Sequence, residues 1–202
     1  MEFQISDFSE CVGRNLQTFC DGLTEEFFSP AVDLIVHAAD AGNRVLIMGI
    51  GKPGHVAGYG AALMSSVSVP TYHLDGTEVV HGSAGQIREG DVVICLSNSG
   101  ETVEMRSALA AAKTNGAKII GVSRDENSYL AGQSDVHLKA RVEQEGGPLN
   151  RAPISSVLLE CLVLQGLSVS LELHYGLTPQ EYVKRHPGGK LGQLRSEECD
   201  KR

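Results

Sequence analysis

The chain has no basic block. Its 17 Lys and Arg stand against 25 Asp and Glu, for a net charge of -8 over 202 residues. A surface of that sign argues against a nucleic-acid or anionic-membrane partner, and any anionic ligand needs local compensation. No C-x-x-C pair occurs either. Cys11, Cys20, Cys95, Cys161 and Cys199 are odd in number and scattered, as expected of reduced thiols rather than a disulfide framework or a zinc cage. The opening "MEFQISDFSE" lacks a positively charged leader followed by an apolar run, so no secretory signal is read and a cytoplasmic location is expected. An uninterrupted apolar span is missing too. "SSVLLECLVLQGLSVSLEL" (155–173) comes nearest, but Glu160, Gln165, Ser168, Ser170 and Glu172 break it, whereas a membrane span takes about 20 mostly apolar residues. A buried helix is expected there, with part of it at a subunit interface. No repeat, low-complexity tract or linker divides the chain, which reads as one domain over 1–202.

What is present has a clear order. Phe8, Cys11, Val12, Leu16, Phe19 and Leu23 recur at helical spacing, which predicts an amphipathic helix over 7–23. Ser29 and Pro30 look like the cap and first position of a second helix that Gly42 stops. These N-terminal helices occupy 1–43. From 44 to 140 the rhythm changes to short β-rich runs between helical stretches: "RVLIMG" (44–49), "PTYHL" (70–74), "DVVICLS" (91–97), "AKIIGVS" (117–123) and "DVHLKA" (135–140). Runs such as "VLIM" and "VVICL" are continuously apolar, which suits strands covered on both faces. An α/β fold with a parallel sheet between helical layers follows. Residues 141–193 hold a Gly and Pro loop, the apolar helix, and "LTPQEYVKRHPGGKLG", where Thr178, Pro179 and Glu181 form a capping box.

Ligands of open α/β sheets bind outside the carboxyl ends of the strands. Two turns qualify. "GIGKPGH" (49–55) follows the first strand, and "SNSGET" (97–102) follows the third and leads into a helix. At a helix N-terminus the unbonded amides and the dipole favour an anion. Gly100 lets the backbone approach, and Ser97, Ser99 and Thr102 add hydroxyls, so this stretch is read as a phosphate cradle; the plainer alternative is that Ser99 caps the helix. Gly49, Gly51 and Gly54 also spell G-x-G-x-x-G, with Asp75 at the end of the second strand, which is the dinucleotide fingerprint. Against that reading, no second nucleotide-binding half is evident and the second anion turn goes unexplained.

In order and spacing, "GIGKPGH", "EVVHGSAGQI", "SNSGET", "EGGPLNRAPISS" and "HPGGKLG" resemble the sugar isomerase (SIS) domain family, most closely its arabinose-5-phosphate isomerase branch. The resemblance covers about residues 40–193. It implies a three-layer αβα sandwich with a five-stranded flavodoxin-like sheet, a homotetramer built as a dimer of dimers, and interconversion of aldose and ketose phosphates. By motif, Ser97, Ser99 and Thr102, with Asn98 and Gly100 between them, fall on the phosphate loop; Gly51 belongs to the first turn. Lys52, Glu101, Glu145 and His186 match active-site positions, and His81 a histidine lining the site. Two departures stand out. Pro53 replaces a serine that usually helps hold phosphate, and the CBS domain pair that follows HPGG in full-length members is absent from these 202 residues, so regulation through it is not expected.

Aldose-ketose isomerisation moves a proton between C1 and C2 through an enediol. It needs a carbon base, a proton donor and acceptor for the oxygens, and stabilisation of the enediolate; no metal or redox cofactor is essential. Glu145, in the Gly and Pro loop, is the expected carbon base, partly desolvated with a raised pKa. His186 suits ring opening or proton transfer between oxygens. Lys52 would neutralise phosphate or enediolate charge, and Glu101 would orient sugar hydroxyls or Lys52. The alternative from another class is a phosphosugar-binding regulatory module without turnover.

Overall fold

The computed structural model describes residues 3–198; Cys199 lies outside the described residues. Helices α1 (Ile5–Cys20) and α2 (Glu25–Asp40) come first. The Ser29-Pro30 start expected for the second helix is corrected. Thr24 is the cap, accepting from the Phe27 N–H at 3.4 Å, and Pro30 lies inside the helix. An interior proline forfeits a helical hydrogen bond, and the offsetting gain is aromatic burial. The extra turn seats Phe28 against Gly166, where a Cβ would stand 2.1 Å from the ring, and sets Phe27 edge-on between Phe19 and Phe28. Gly42, at φ 79°, follows the last turn as expected.

Strands β1 (Val45–Gly49), β2 (Thr71–His73), β3 (Val92–Leu96), β4 (Lys118–Ser123) and β5 (Val136–Lys139) form one parallel sheet in the order β2-β1-β3-β4-β5. Helices α3 (Lys52–Val67), α4 (Val103–Thr114) and α5 (Tyr129–Gln133) connect them. Every residue of β1 and β3 is buried, as continuous apolar runs require. Their side chains alternate between two cores. Val45, Ile47, Val92, Ile94 and Leu96 join α2, α3 and α6 (Ser155–Tyr175) on one face, while Leu46, Met48, Val93 and Cys95 join α4 on the other. This is the three-layer αβα sandwich.

By length and composition α6 could cross a membrane. Here it packs on α1, α2 and α3, and Leu159, Val163, Leu164, Leu167 and Leu171 fill the core. Leu164 presses on Gly60 of α3, where a Cβ would sit 2.3 Å away, so the two helices meet at backbone distance. Leu158, Val169 and Leu173 of the same helix remain exposed. Helix α7 (Pro179–Arg185) starts on the expected capping box of Thr178 and Glu181. Among the described residues Cys11, Cys20, Cys95 and Cys161 carry free thiols.

Candidate active site

From the adjacent strands β1 and β3 the chain departs to opposite sides, towards β2 and β4. Their carboxyl ends therefore form the switch point where such sheets bind ligands. A cleft of about 260 Å³ opens there, walled by Ile50 and Pro53 after β1, Ser97, Asn98, Ser99 and Thr102 after β3, and Glu145, Arg151, Pro153 and Ser156 from the loop and start of α6. Two larger hollows, of about 390 and 350 Å³, flank α7, and a third of about 350 Å³ sits at the amino end of β4. None touches a strand's carboxyl end or a phosphate-shaped turn, so the smaller cleft is the candidate site.

The turn after β3 is tightly tied. Gly100, at φ 68°, donates to the Ser97 carbonyl at 2.9 Å, and a Cβ on it would stand 2.3 Å from Ser128 Oγ. Ser97 Oγ lies 3.1 Å from Thr102 Oγ1. Helix α4 begins at Val103, directly after the turn, as the sequence suggested. Its N-cap is Thr102, whose side chain makes no cap bond, while Ser99 Oγ accepts from the Glu101 N–H at 3.2 Å. The first bond back into the helix runs from the Arg106 N–H to the Thr102 carbonyl, so the preceding amides face the loop and suit an anion.

Glu145 enters from the opposite wall and is 9 % exposed. Its Oε2 accepts from the Ile154 N–H at 2.8 Å and the Ser156 N–H at 3.0 Å, and its own N–H donates to Asn150 Oδ1 at 2.6 Å. Ile154, the N-cap of α6, has no side-chain cap bond; the carboxylate caps the helix from nine residues upstream. Oε1 receives a single long contact, 3.4 Å from Asn98 Nδ2, and keeps lone-pair capacity for a proton.

The remaining sequence candidates fall elsewhere. Lys52 is exposed at the first position of α3, next to Pro53, with Gly51 at φ 66° as N-cap. A cation at a helix start opposes the dipole, so the position brings no local stability. Glu101 directly precedes the N-cap of α4, accepts from the Tyr129 N–H at 2.7 Å, and pairs with Arg106. The Tyr129 amide, then Arg106, holds its carboxyl below the usual range, and it does not line the cleft. His81, exposed, ends the 3₁₀ turn Val79–His81 outside the cleft. His186 caps the end of α7, stacked on Tyr182 at 4.0 Å with Nδ1 2.9 Å from the Tyr182 carbonyl; it too lies away from the cleft of its own chain. Asp75 spends Oδ1 on the Thr77 amide and hydroxyl, at 2.9 and 2.7 Å, in a local turn rather than a ribose contact.

Sequence reasoning missed three residues. Arg151 supplies the cleft with a cation, and the cue was a lone basic residue in "PLNRAP" of an acidic protein. Ser156 and Glu160 were read only as part of the apolar helix. Glu160 is 2 % exposed, and neither carboxyl oxygen has a hydrogen-bond partner.

The SIS domain model matches residues 39–170. The chain belongs to the SIS domain family. Among its relatives, arabinose 5-phosphate isomerase KdsD of Pseudomonas aeruginosa is 38 % identical over 150 residues, 74 % of this chain and 46 % of that protein. A probable arabinose 5-phosphate isomerase of Haemophilus influenzae is 36 % identical over 166 residues, 82 % of this chain and 48 % of that one. This SIS domain thus spans about half the length of the curated relatives it matches. Solved structures similar to it include an Escherichia coli CFT073 protein in complex with arabinose 5-phosphate, at TM-score 0.84 and 29 % identity, covering 91 % of this chain and 95 % of that one. A phosphosugar isomerase, described as putative, from Bacteroides fragilis also gives TM-score 0.84 and 29 % identity, with 92 % and 98 % covered.

Proposed function

We propose that this SIS domain is a cytoplasmic aldose-ketose isomerase of sugar phosphates, with arabinose 5-phosphate and ribulose 5-phosphate as the favoured pair. The observation that carries this reading is the placement of Glu145, which presents Oε1 to the cleft that also holds the Ser97–Thr102 turn. The phosphate docks on Ser97, Ser99, Thr102 and the amides of that turn, with Arg151 and Lys52 offsetting its charge. With Oε2 fixed by two amides, Oε1 removes the proton from C2 of the aldose or C1 of the ketose and returns it to the neighbouring carbon. His186 moves the proton between the oxygens, and His81 approaches the sugar from the rim.

Since His186 is remote from the cleft of its own chain, a neighbouring subunit supplies it, in a homotetramer whose contacts use the exposed Leu158, Val169 and Leu173 of α6. Closed symmetric association makes such sharing natural. Mixing His186→Ala with Glu145→Gln subunits should then restore activity at about a quarter of the sites, because random exchange gives that fraction both good residues. Hybrid oligomers as inactive as their parents would refute the sharing.

The reaction itself is tested by NMR. A panel of pentose and hexose phosphates in D₂O, without metal or nucleotide, should include one whose C1 or C2 proton exchanges while its isomer appears. Binding without exchange across the whole panel would refute turnover and leave a phosphosugar-binding module.

A further inference from the structure

Glu160 breaks the apolar run of α6, yet the fold buries it without a hydrogen-bond partner. Such a carboxyl survives in a core by keeping its proton. Ser156, one turn earlier on the same face, has its hydroxyl buried and unpaired as well. Its amide donates to Glu145 Oε2, so Glu160 lies one helical turn beyond a residue that holds the carboxylate lining the cleft.

The charge that acts on Glu160 is Glu145. Desolvation pushes the Glu160 carboxyl up to about 8, and the Glu145 anion adds to the rise. Among the described residues, the other elements packed against α6 offer nothing to offset it. From α2 and α3, Ala31, Ile35, Val56 and Ala57 meet the shared core. From α1 the titratable group near the loop is Cys11, whose thiol lies 3.8 Å from the Gln144 carbonyl. Beside Glu160, the Cys161 thiol is raised by burial and then by Glu160 itself.

Resting on the isomerase reading, we propose that Glu160 is the proton-bearing partner of Glu145, a positioning residue that is neutral while Glu145 acts as base and silences the site when it ionises. Neutral Glu160 leaves Glu145 as the one anionic carboxylate of the pair and supplies an O–H donor on the face it shares with Ser156. Ionised, it places a second anion beside the base. That opposes both the phosphate-bearing substrate and the developing enediolate. The physical consequence is an alkaline limit on activity set by a residue that never touches substrate.

Two measurements on the intact protein test this. Infrared difference spectra without substrate should show a protonated-carboxyl band at neutral pH that disappears with a midpoint near 8 and is missing from Glu160→Gln. Kinetically, wild-type kcat/KM should fall about tenfold per pH unit beyond that midpoint, and the limb should be absent in Glu160→Gln. If that variant fails to fold, Glu160→Met, apolar and of similar reach, replaces it. A wild-type spectrum without a protonated carboxyl at neutral pH overturns the proposal, as does an alkaline limb that persists unchanged in the folded variant. Failure to turn over any sugar phosphate refutes the isomerase reading instead, and the infrared arm still decides whether Glu160 holds the proton.

Discussion

Replacing Glu145 by alanine and by glutamine should separate its two jobs, because one substitution removes the helix cap and the other removes only the charge. In Glu145→Ala the amides of Ile154 and Ser156 lose the oxygen that accepts from them at 2.8 and 3.0 Å. Each orphaned buried donor costs about 1–3 kcal/mol. The cleft lets water reach part of this site, so a total of about 2–4 kcal/mol is expected, with a further small loss from removing an anion at a helix N-terminus. For a chain of this size that lowers Tm by about 5–15 °C. Glu145→Gln keeps an oxygen for both amides. Its new NH₂ would face Asn98 Nδ2, now 3.4 Å from Oε1, but Asn98 Oδ1 is buried with no partner, and turning that amide over pairs the two side chains. Stability should then stay within about 1 kcal/mol of wild type, while kcat falls at least about 100-fold for want of a base. Thermal unfolding, amide exchange at Ile154 and Ser156, and turnover of the preferred sugar phosphate read the three effects. If Glu145→Ala melts with the wild type and its Ile154 and Ser156 amides stay protected, the capping argument is wrong. If Glu145→Gln turns over at the wild-type rate, the base is another residue.

Ser97→Ala combined with Ser99→Ala should weaken sugar-phosphate binding by about 10-fold or more per lost charged hydrogen bond, with a modest loss of Tm from the two bonds that tie the turn, and calorimetry showing unchanged affinity would remove the phosphate from this turn. Arg151→Met keeps the length of the side chain and removes its charge; binding should weaken and lose part of its salt dependence, whereas an identical salt profile would place Arg151 outside the anion site. Stability should depend on pH through Glu160. Its carboxyl keeps the proton up to about 8 when folded against 4.5 for the free group, so between those values the unfolded chain binds fewer protons and stability falls as pH rises. The loss is on the order of 4–5 kcal/mol by that difference, and Glu160→Gln should flatten this part of the curve; denaturant titrations at intervals across the window that give parallel curves for both proteins would contradict it.

The continuous apolar runs at 44–49 and 91–97 announced β1 and β3, because a strand covered on both faces has no polar side to show. The glycine of 97–102 announced a tight turn for a similarly local reason: backbone geometry at Gly100 and the free amides before α4 are properties of neighbours in the chain. Local reasoning failed where distant residues compete. The start of α2 moved upstream of Pro30 because Phe28 meets Gly166 of α6, and the carboxylate of Glu101 is taken up by the Tyr129 amide, 28 residues on. Glu160 looked like a polar break in an apolar helix, and nothing in its neighbours says that it ends up buried without a hydrogen-bond partner. Sequence by itself determined the strands, the layers and the tight turn ahead of α4, since periodicity and turn chemistry are written within a few residues. Only the tertiary structure decided that Glu145 and Asn98, 47 residues apart, share one cleft, because which faces meet is settled by packing across the whole chain.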